Sequence, residues 1–148
     1  MMEKVRIKKL NENATVPTHA TVGSAGADLY AVCERDFIEI PPHETVLIHT
    51  GFAFEIPDGY VGLVFARSSL GTKRGLAPAN KVGVIDSDYR GEVMVSLHNH
   101  SNVLAQIENG ERIAQMVIVP FLKTEFVLSD ELDDTERGAG GFGSTGKK

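Results

Sequence analysis

The chain is short of cysteine, of long apolar runs and of positive charge, and each shortage narrows what it can be. Cys33 is the one cysteine, which excludes an internal disulfide and fits a reducing compartment. The longest apolar stretch, Met116 to Leu122, contains Pro120 and ends at Lys123, far short of the roughly 20 residues a membrane helix needs. Basic residues near the start are followed by no apolar segment, so no secretory signal is visible and a cytoplasmic setting is expected. The net charge of −5 argues against a broad basic face for nucleic acid. A small phosphorylated ligand stays open, because a few placed cations suffice. Arg67, Lys73, Arg74, Arg112 and Arg137 are candidates for that work.

What remains is a 148-residue chain of ordinary globular composition, one domain by size and large enough to bury a core. Short candidate strands punctuate it: Val5 to Leu10, Phe37 to Ile40, Thr45 to His49, Phe52 to Ile56, Val61 to Phe65, Leu76 to Val82, Val103 to Ile107 and Arg112 to Phe121. Pro41-Pro42, Gly51, Pro57-Asp58-Gly59 and Asn109-Gly110 are turn signals between them, the last reading as a tight hairpin. Asn11 to Thr21 reads as a loop, and Gly23 to Ala31 as a small-residue approach to a strand with Asp28 at its start. Arg67 to Gly75 breaks the alternation and predicts one or two helical turns, begun by a Ser cap and stopped by Gly75. No repeat and no long amphipathic helix is visible. Many short strands with regular punctuation predict an all-β sandwich or barrel.

The stretch Gly83 to Val93 holds the densest chemistry. A β-branched run carries Asp86 into a polar corner, followed by Tyr89, Arg90 and Gly91, and Glu92 to His98 then alternates polar and apolar. It reads as a β-hairpin whose bend presents a carboxylate and a ring. Alone, it reads first as an ordinary hairpin loop, since turns of Asp, Ser and Gly are common. The end of the chain changes character: Leu132 to Glu136 is acidic, and glycines follow at 138, 140, 141, 143 and 146. This predicts a β domain over 1–131 and a mobile arm over 132–148. Arg137 and Phe142 inside that arm suggest a flap.

Other signals lead nowhere. Gly141 to Lys148 nearly spells a phosphate-binding loop, but a P-loop needs a following helix, and the residue after Lys147 is Lys148 rather than Ser or Thr. His98 and His100 fall on one face of a strand, yet no third ligand lies near in sequence.

Taken in order, five segments resemble the motifs of the trimeric dUTPase family: Gly23 to Ala31, Ala66 to Leu76, Asn80 to Val93, Gly110 to Ile118 and Arg137 to Gly146. The resemblance spans Pro17 to Lys147. It implies a distorted, jelly-roll-like β-barrel with one short helix, assembled as a homotrimer with sites at subunit interfaces, each closed by a C-terminal arm. It also implies hydrolysis of dUTP to dUMP and pyrophosphate with Mg²⁺, and no nucleic-acid or membrane partner.

By the family's pattern Asp86 is the general base that orients and deprotonates water, which suits a carboxylate. Gln115 reaches the phosphates or that water. Arg67, Ser68 and Ser69 align with the phosphate-binding part of the second motif. Asn80, Gly83, Val84 and Ile85 supply backbone and side-chain groups for uracil, with Met94 nearby, and Tyr89 packs under the deoxyribose. Phe142 stacks on the base, while Arg137, Gly143, Ser144 and Thr145 close over the γ-phosphate. Asp28 holds Mg²⁺ through water. The second motif departs from the family at Ala66, Ser69, Gly71 and Arg74, where Pro, Gly, Ala and His are common. Two rivals are a dCTP deaminase, which would use a glutamate against the base, and a nucleotide-binding regulatory module without catalysis.

Overall fold

The computed structural model describes residues 3–143, 145 and 146. In chain order the strands are β1 (Arg6–Lys9), β2 (Thr18–His19), β3 (Ala27–Tyr30), β4 (Phe37–Ile40), β5 (Thr45–Glu55) and β6 (Tyr60–Phe65). After the helix α1 (Ser68–Arg74) come β7 (Leu76–Pro78), β8 (Gly83–Ile85), β9 (Glu92–Asn99), β10 (Ala105–Glu108) and β11 (Arg112–Pro120). They form a sheet in the order β1-β5-β9-β7, a second in the order β2-β3-β11-β6-β8, and the pair β10-β4. The fold is all-β and jelly-roll-like. Its wall is divided among these three sheets rather than running continuously around a barrel.

Strand alternation builds the core. Along β9 every second residue is buried, namely Val93, Val95, Leu97 and Asn99. Ile48, Phe52 and Phe54 from β5 join them, together with Leu29, Val64, Ala114 and Met116 from the five-stranded sheet. Ile40, Ala105 and Ile107 of the β10-β4 pair close the same cluster. Burying each large side chain contributes roughly 1.5–3 kcal/mol. No helix among the described residues is long and apolar enough to cross a membrane.

Several local expectations change. The strands expected on either side of Gly51 are one long β5, interrupted by a bulge where the pairing shifts between His49 and Ala53. Gly51 sits there at φ 73°, a conformation that glycine adopts without strain. The stretch expected as loop holds the two-residue β2. Gly83 to Val93 is not a hairpin: β8 pairs with β6, whereas β9 pairs with β5 and β7 in the other sheet. Residues 86–91 therefore cross between sheets. Asn109-Gly110 is a tight turn, with Glu111 N–H donating to the Glu108 carbonyl, but it too joins strands of different sheets. The helix begins at Arg67 without any side-chain cap, so the expected Ser cap is absent. Gly75, left-handed at φ 64°, ends it as expected.

Candidate active site

Three adjacent strands set one face of the larger sheet. Their register places Asp28 opposite Gln115, and Gln115 opposite Phe65. Their chain neighbours Leu29, Met116 and Val64 enter the core, so alternation turns these three the other way. There they line a cavity of about 430 Å³ with Arg67, Ser68 and Arg112. Arg67 leads into α1, which is pinned by its one buried side chain, Leu70.

Asp28 organises this cavity. One carboxylate oxygen accepts from Arg67 Nε at 2.9 Å and the other from Arg112 Nη1 at 3.3 Å. The Asp28 side chain is 11% exposed, so the pairs are partly shielded from water. Two guanidiniums against one carboxylate leave the lining net positive, with spare N–H donors in the planar geometry that suits phosphate. Gln115 donates from Nε2 to the Ala66 carbonyl at 2.9 Å, which fixes its carboxamide and leaves the second N–H available.

A second, narrower crevice of about 120 Å³ lies where β8 of one sheet approaches β7 and β9 of the other. Asn80, Gly83, Val84, Ile85 and Met94 all line it. β8 ends its sheet, so its second backbone edge has no strand partner among the described residues. Such an edge offers amides and carbonyls to a planar ligand.

The crossing segment carries the remaining candidates. Asp86 is exposed, and its backbone carbonyl accepts from Tyr89 N–H at 3.2 Å. Its carboxylate has no ion-pair or hydrogen-bond partner among the described residues, which leaves it accessible to water. Arg90 Nη1 donates to the carbonyls of Ser87 and Tyr89 at 2.6 and 3.1 Å and fastens the corner. Ser69 is exposed on α1 and lines neither space.

The arm candidates stand apart from both spaces. Arg137 Nε donates to the nearby Gly140 carbonyl, and Phe142 and Thr145 are exposed. Gly143 has a left-handed φ of 90°, and Ser144 lies outside the described residues. Neither cavity is lined by Arg137, Phe142, Gly143 or Thr145. The fold thus gathers Asp28, Arg67, Ser68 and Gln115 in one space and Asn80, Gly83, Val84, Ile85 and Met94 in another.

Gly26, outside the expected site residues, and Arg112, one of the five candidate cations, join the first space. Arg112 and Gln115 are an odd number of positions apart and would face opposite ways in a regular strand, but the β11 register shifts between Arg112 and Ala114. Both therefore line the cavity. Gly26 packs against the Gln115 side chain too closely for any Cβ. The one sequence signal for Gly26 is the small-residue run around it.

An all-β fold with an anion-seeking face and a separate narrow crevice beside a free strand edge defines the class: a β-sheet protein built for a small phosphorylated ligand. The family model described as dUTPase matches residues 12–146, and the chain belongs to that family. It is 51% identical over 145 residues to the deoxyuridine 5'-triphosphate nucleotidohydrolase of Hydrogenobaculum sp., covering 98% of this chain and 99% of that one. The enzyme of the same name from Nautilia profundicola is 52% identical over 144 residues, covering 97% and 99%. Among solved structures, a mutant dUTPase of Staphylococcus bacteriophage 80alpha with dUpNHpp superposes with TM-score 0.89 at 30% identity, covering 98% and 99% of the two chains. A mutant dUTPase from phage phi11 of S. aureus, described with a structural Mg(II) ion, gives TM-score 0.80 at 26% identity, covering 89% and 100%.

Proposed function

We propose that this chain hydrolyses dUTP to dUMP and pyrophosphate in a cytoplasmic setting, as a homotrimer. The observation that carries the reading is the Asp28–Arg67–Arg112 arrangement, a positive lining held rigid beside Ser68 and Gln115. It suits a polyphosphate. The β8 crevice suits the base: a free strand edge presents the alternating acceptors and donors that complement uracil and mispair with cytosine. Rejection of thymine follows from the narrowness of that crevice.

In this reading Asp86 accepts a hydrogen bond from water and takes its proton as water attacks the α-phosphorus, with pyrophosphate leaving in line. Arg67, Ser68 and Gln115 hold the phosphate oxygens. Tyr89 packs beneath the deoxyribose. Phe142 stacks on uracil, and Arg137, Gly143, Ser144 and Thr145 close over the γ-phosphate. Positioning and charge stabilisation do most of the work.

The residues present suit a Mg²⁺ that arrives on the triphosphate. Among the described residues no three His, Cys, Asp or Glu side chains converge as a metal site. Asp28 is the one carboxylate lining the anion cavity, and it is already engaged by two arginines, so it would meet a cation through water. When bound, the ion neutralises charge on the leaving pyrophosphate.

Two features support the trimer. The face of the larger sheet turned from the core carries an apolar row, Val84 beside Leu63 beside Val117, and a second row, Val61 beside Val119. Val84 is 62% exposed, a poor arrangement unless something covers it. In addition, the anion cavity, the crevice and the arm are separate in one protomer, which suits a site completed by neighbouring copies.

The test is a panel of dUTP, dCTP, dTTP and UTP with Mg²⁺, following pyrophosphate and nucleotide products. Hydrolysis confined to dUTP is expected. Deamination of dCTP, or binding without turnover, would overturn the reading in favour of the deaminase or the regulatory module.

A further inference from the structure

We infer that Gly91 and Glu92 are positioning residues that set discrimination between deoxyribose and ribose, acting through the ring of Tyr89. The inference rests on reading the chain as a dUTP hydrolase with Tyr89 beneath the sugar. Deoxyribose and ribose differ by one oxygen atom. A ring that gives by an ångström admits that atom, so exclusion needs a support that does not yield.

Tyr89 is 41% exposed, and core packing does not hold it. Two other contacts do. Position 91 lies against the hydroxyl end of the ring, where a methyl group would overlap the phenol oxygen and stand 2.6 Å from Cζ and 2.9 Å from Cε2. A side chain at 91 must therefore displace the end of the ring. At that same end the Tyr89 hydroxyl donates to the Glu92 carbonyl at 2.9 Å.

Glu92 is itself anchored at both carboxylate oxygens. Oε1 accepts from Gly51 N–H at 2.8 Å, and Oε2 lies 2.8 Å from His49 Nδ1. His49 borders the β5 bulge and Gly51 lies within it, and Glu92 pairs across the strands with Ala53. The bulge thus turns a backbone N–H toward the Glu92 side chain, which fixes the carbonyl that receives the phenol. Through this chain of contacts the ring is tied to β5, whose Phe52 and Phe54 are in the core, rather than to the exposed corner alone.

The experiment compares kcat/KM for dUTP and for UTP in wild type, Gly91→Ala, Glu92→Ala, Glu92→Gln, Tyr89→Phe and Tyr89→Ala, and in the Tyr89→Ala/Gly91→Ala double variant. Gly91→Ala and Glu92→Ala should each lower the dUTP:UTP preference by about tenfold. Glu92→Gln keeps an acceptor for Gly51 N–H and presents a donor to His49 Nδ1, which accepts it once the imidazole carries its proton on Nε2, so it should restore most of the preference. In the Tyr89→Ala background Gly91→Ala should change the preference no further, since the ring it displaces is gone.

An unchanged preference in folded Gly91→Ala, or an equal effect with and without the Tyr89 ring, overturns the inference. Should Gly91→Ala fail to fold, Tyr89→Phe and Glu92→Ala decide, and a wild-type preference in both overturns it. A wild-type protein that ignores dUTP, or takes UTP equally well, instead refutes the hydrolase reading itself, and is recognised before any variant is made.

Discussion

A methyl group on Gly26 would stand 2.5 Å from Oε1 of Gln115, so the two residues compete for one space that glycine leaves to the carboxamide. The amide is also tied to the Ala66 carbonyl, and it cannot retreat without losing that bond. Gly26→Ala is therefore expected to turn Gln115 out of the anion cavity. Steady-state kinetics should show kcat/KM for dUTP lowered by about 10²-fold, the scale of an ångström misplacement. The melting temperature should change little, because Gly26 is no part of the buried core cluster. A normal kcat/KM would show that Gln115 has no role in positioning the phosphates.

Asp86 offers a cleaner separation of chemistry from binding. Its carboxylate carries no partner among the described residues, so the amide of Asp86→Asn breaks no ion pair while removing the proton acceptor. Turnover should fall by about 10²–10⁴-fold, the usual contribution of a general base. Calorimetry with a non-hydrolysable dUTP analogue should give a dissociation constant within a few-fold of wild type. Comparable turnover in the variant would remove Asp86 from the mechanism.

Much of this could be read from residue order. The alternation of Glu92 to His98 gave a strand with Val93, Val95 and Leu97 inward, and Gly75 marked the helix end. These are local signals, carried by periods of two or by one left-handed residue. Strand partners were not legible. Nothing in Gly83 to Val93 says that its two halves belong to different sheets, because pairing is decided by distant strands, here β6 for one half and β5 with β7 for the other. Arg112 stands among the candidate cations by residue type, but its placement against Asp28 was not legible, because a bulge turns it there. The space that Gly91 leaves for Tyr89 is silent in sequence, where a glycine first reads as a turn, and the one that Gly26 leaves for Gln115 shows only as a run of small residues.

The apolar face yields a prediction about assembly. Leu63 lies between Val84 and Val117 on the side of the sheet away from the core. Leu63→Glu introduces a charge into any interface formed there, while the protomer's own core is left intact. Sedimentation should shift from a trimer toward a lighter species, with a far-ultraviolet spectrum unchanged from wild type. Hydrolysis of dUTP should fall by about tenfold or more if the site needs neighbouring copies. A Leu63→Glu variant that sediments as a trimer would exclude this face from the interface.

Cys33 should be an inert thiol. It is 7% exposed, its sulfur lies 3.7 Å from the Ile107 carbonyl, and burial, with the nearby Glu111 charge, pushes its pKa above the ordinary value of 9.0. In the native protein it should react with a thiol reagent far more slowly than after denaturation. The linkage has a definite sign. A raised folded-state pKa favours the protonated thiol, so the stability it contributes is complete below about pH 9 and declines as pH rises through the folded-state value. Cys33→Ala should flatten that alkaline decline in a series of urea melts, and an unchanged slope would assign the decline to other groups.

Asn99 carries the sharpest stability prediction. It is completely buried on β9, and its side chain uses every direction it has. Nδ2 donates to the carbonyls of Ile40 and Val103 at 2.9 and 2.8 Å, while Oδ1 accepts from Ser101 N–H and the Ser101 hydroxyl at 2.9 and 2.7 Å. One residue thus joins β9, the end of β4 and the loop that follows. Asn99→Leu roughly conserves volume but leaves two carbonyls and an N–H without this partner. Each buried polar group so orphaned costs about 1–3 kcal/mol, with water able to rescue those nearest the surface. The expected loss is about 3 kcal/mol or more, against about 2–5 kcal/mol for Leu97→Ala, which opens a cavity instead. Urea denaturation of both variants checks this. An Asn99→Leu variant as stable as wild type would mean that the loop after β9 finds other partners, and that Asn99 does not hold these three elements together.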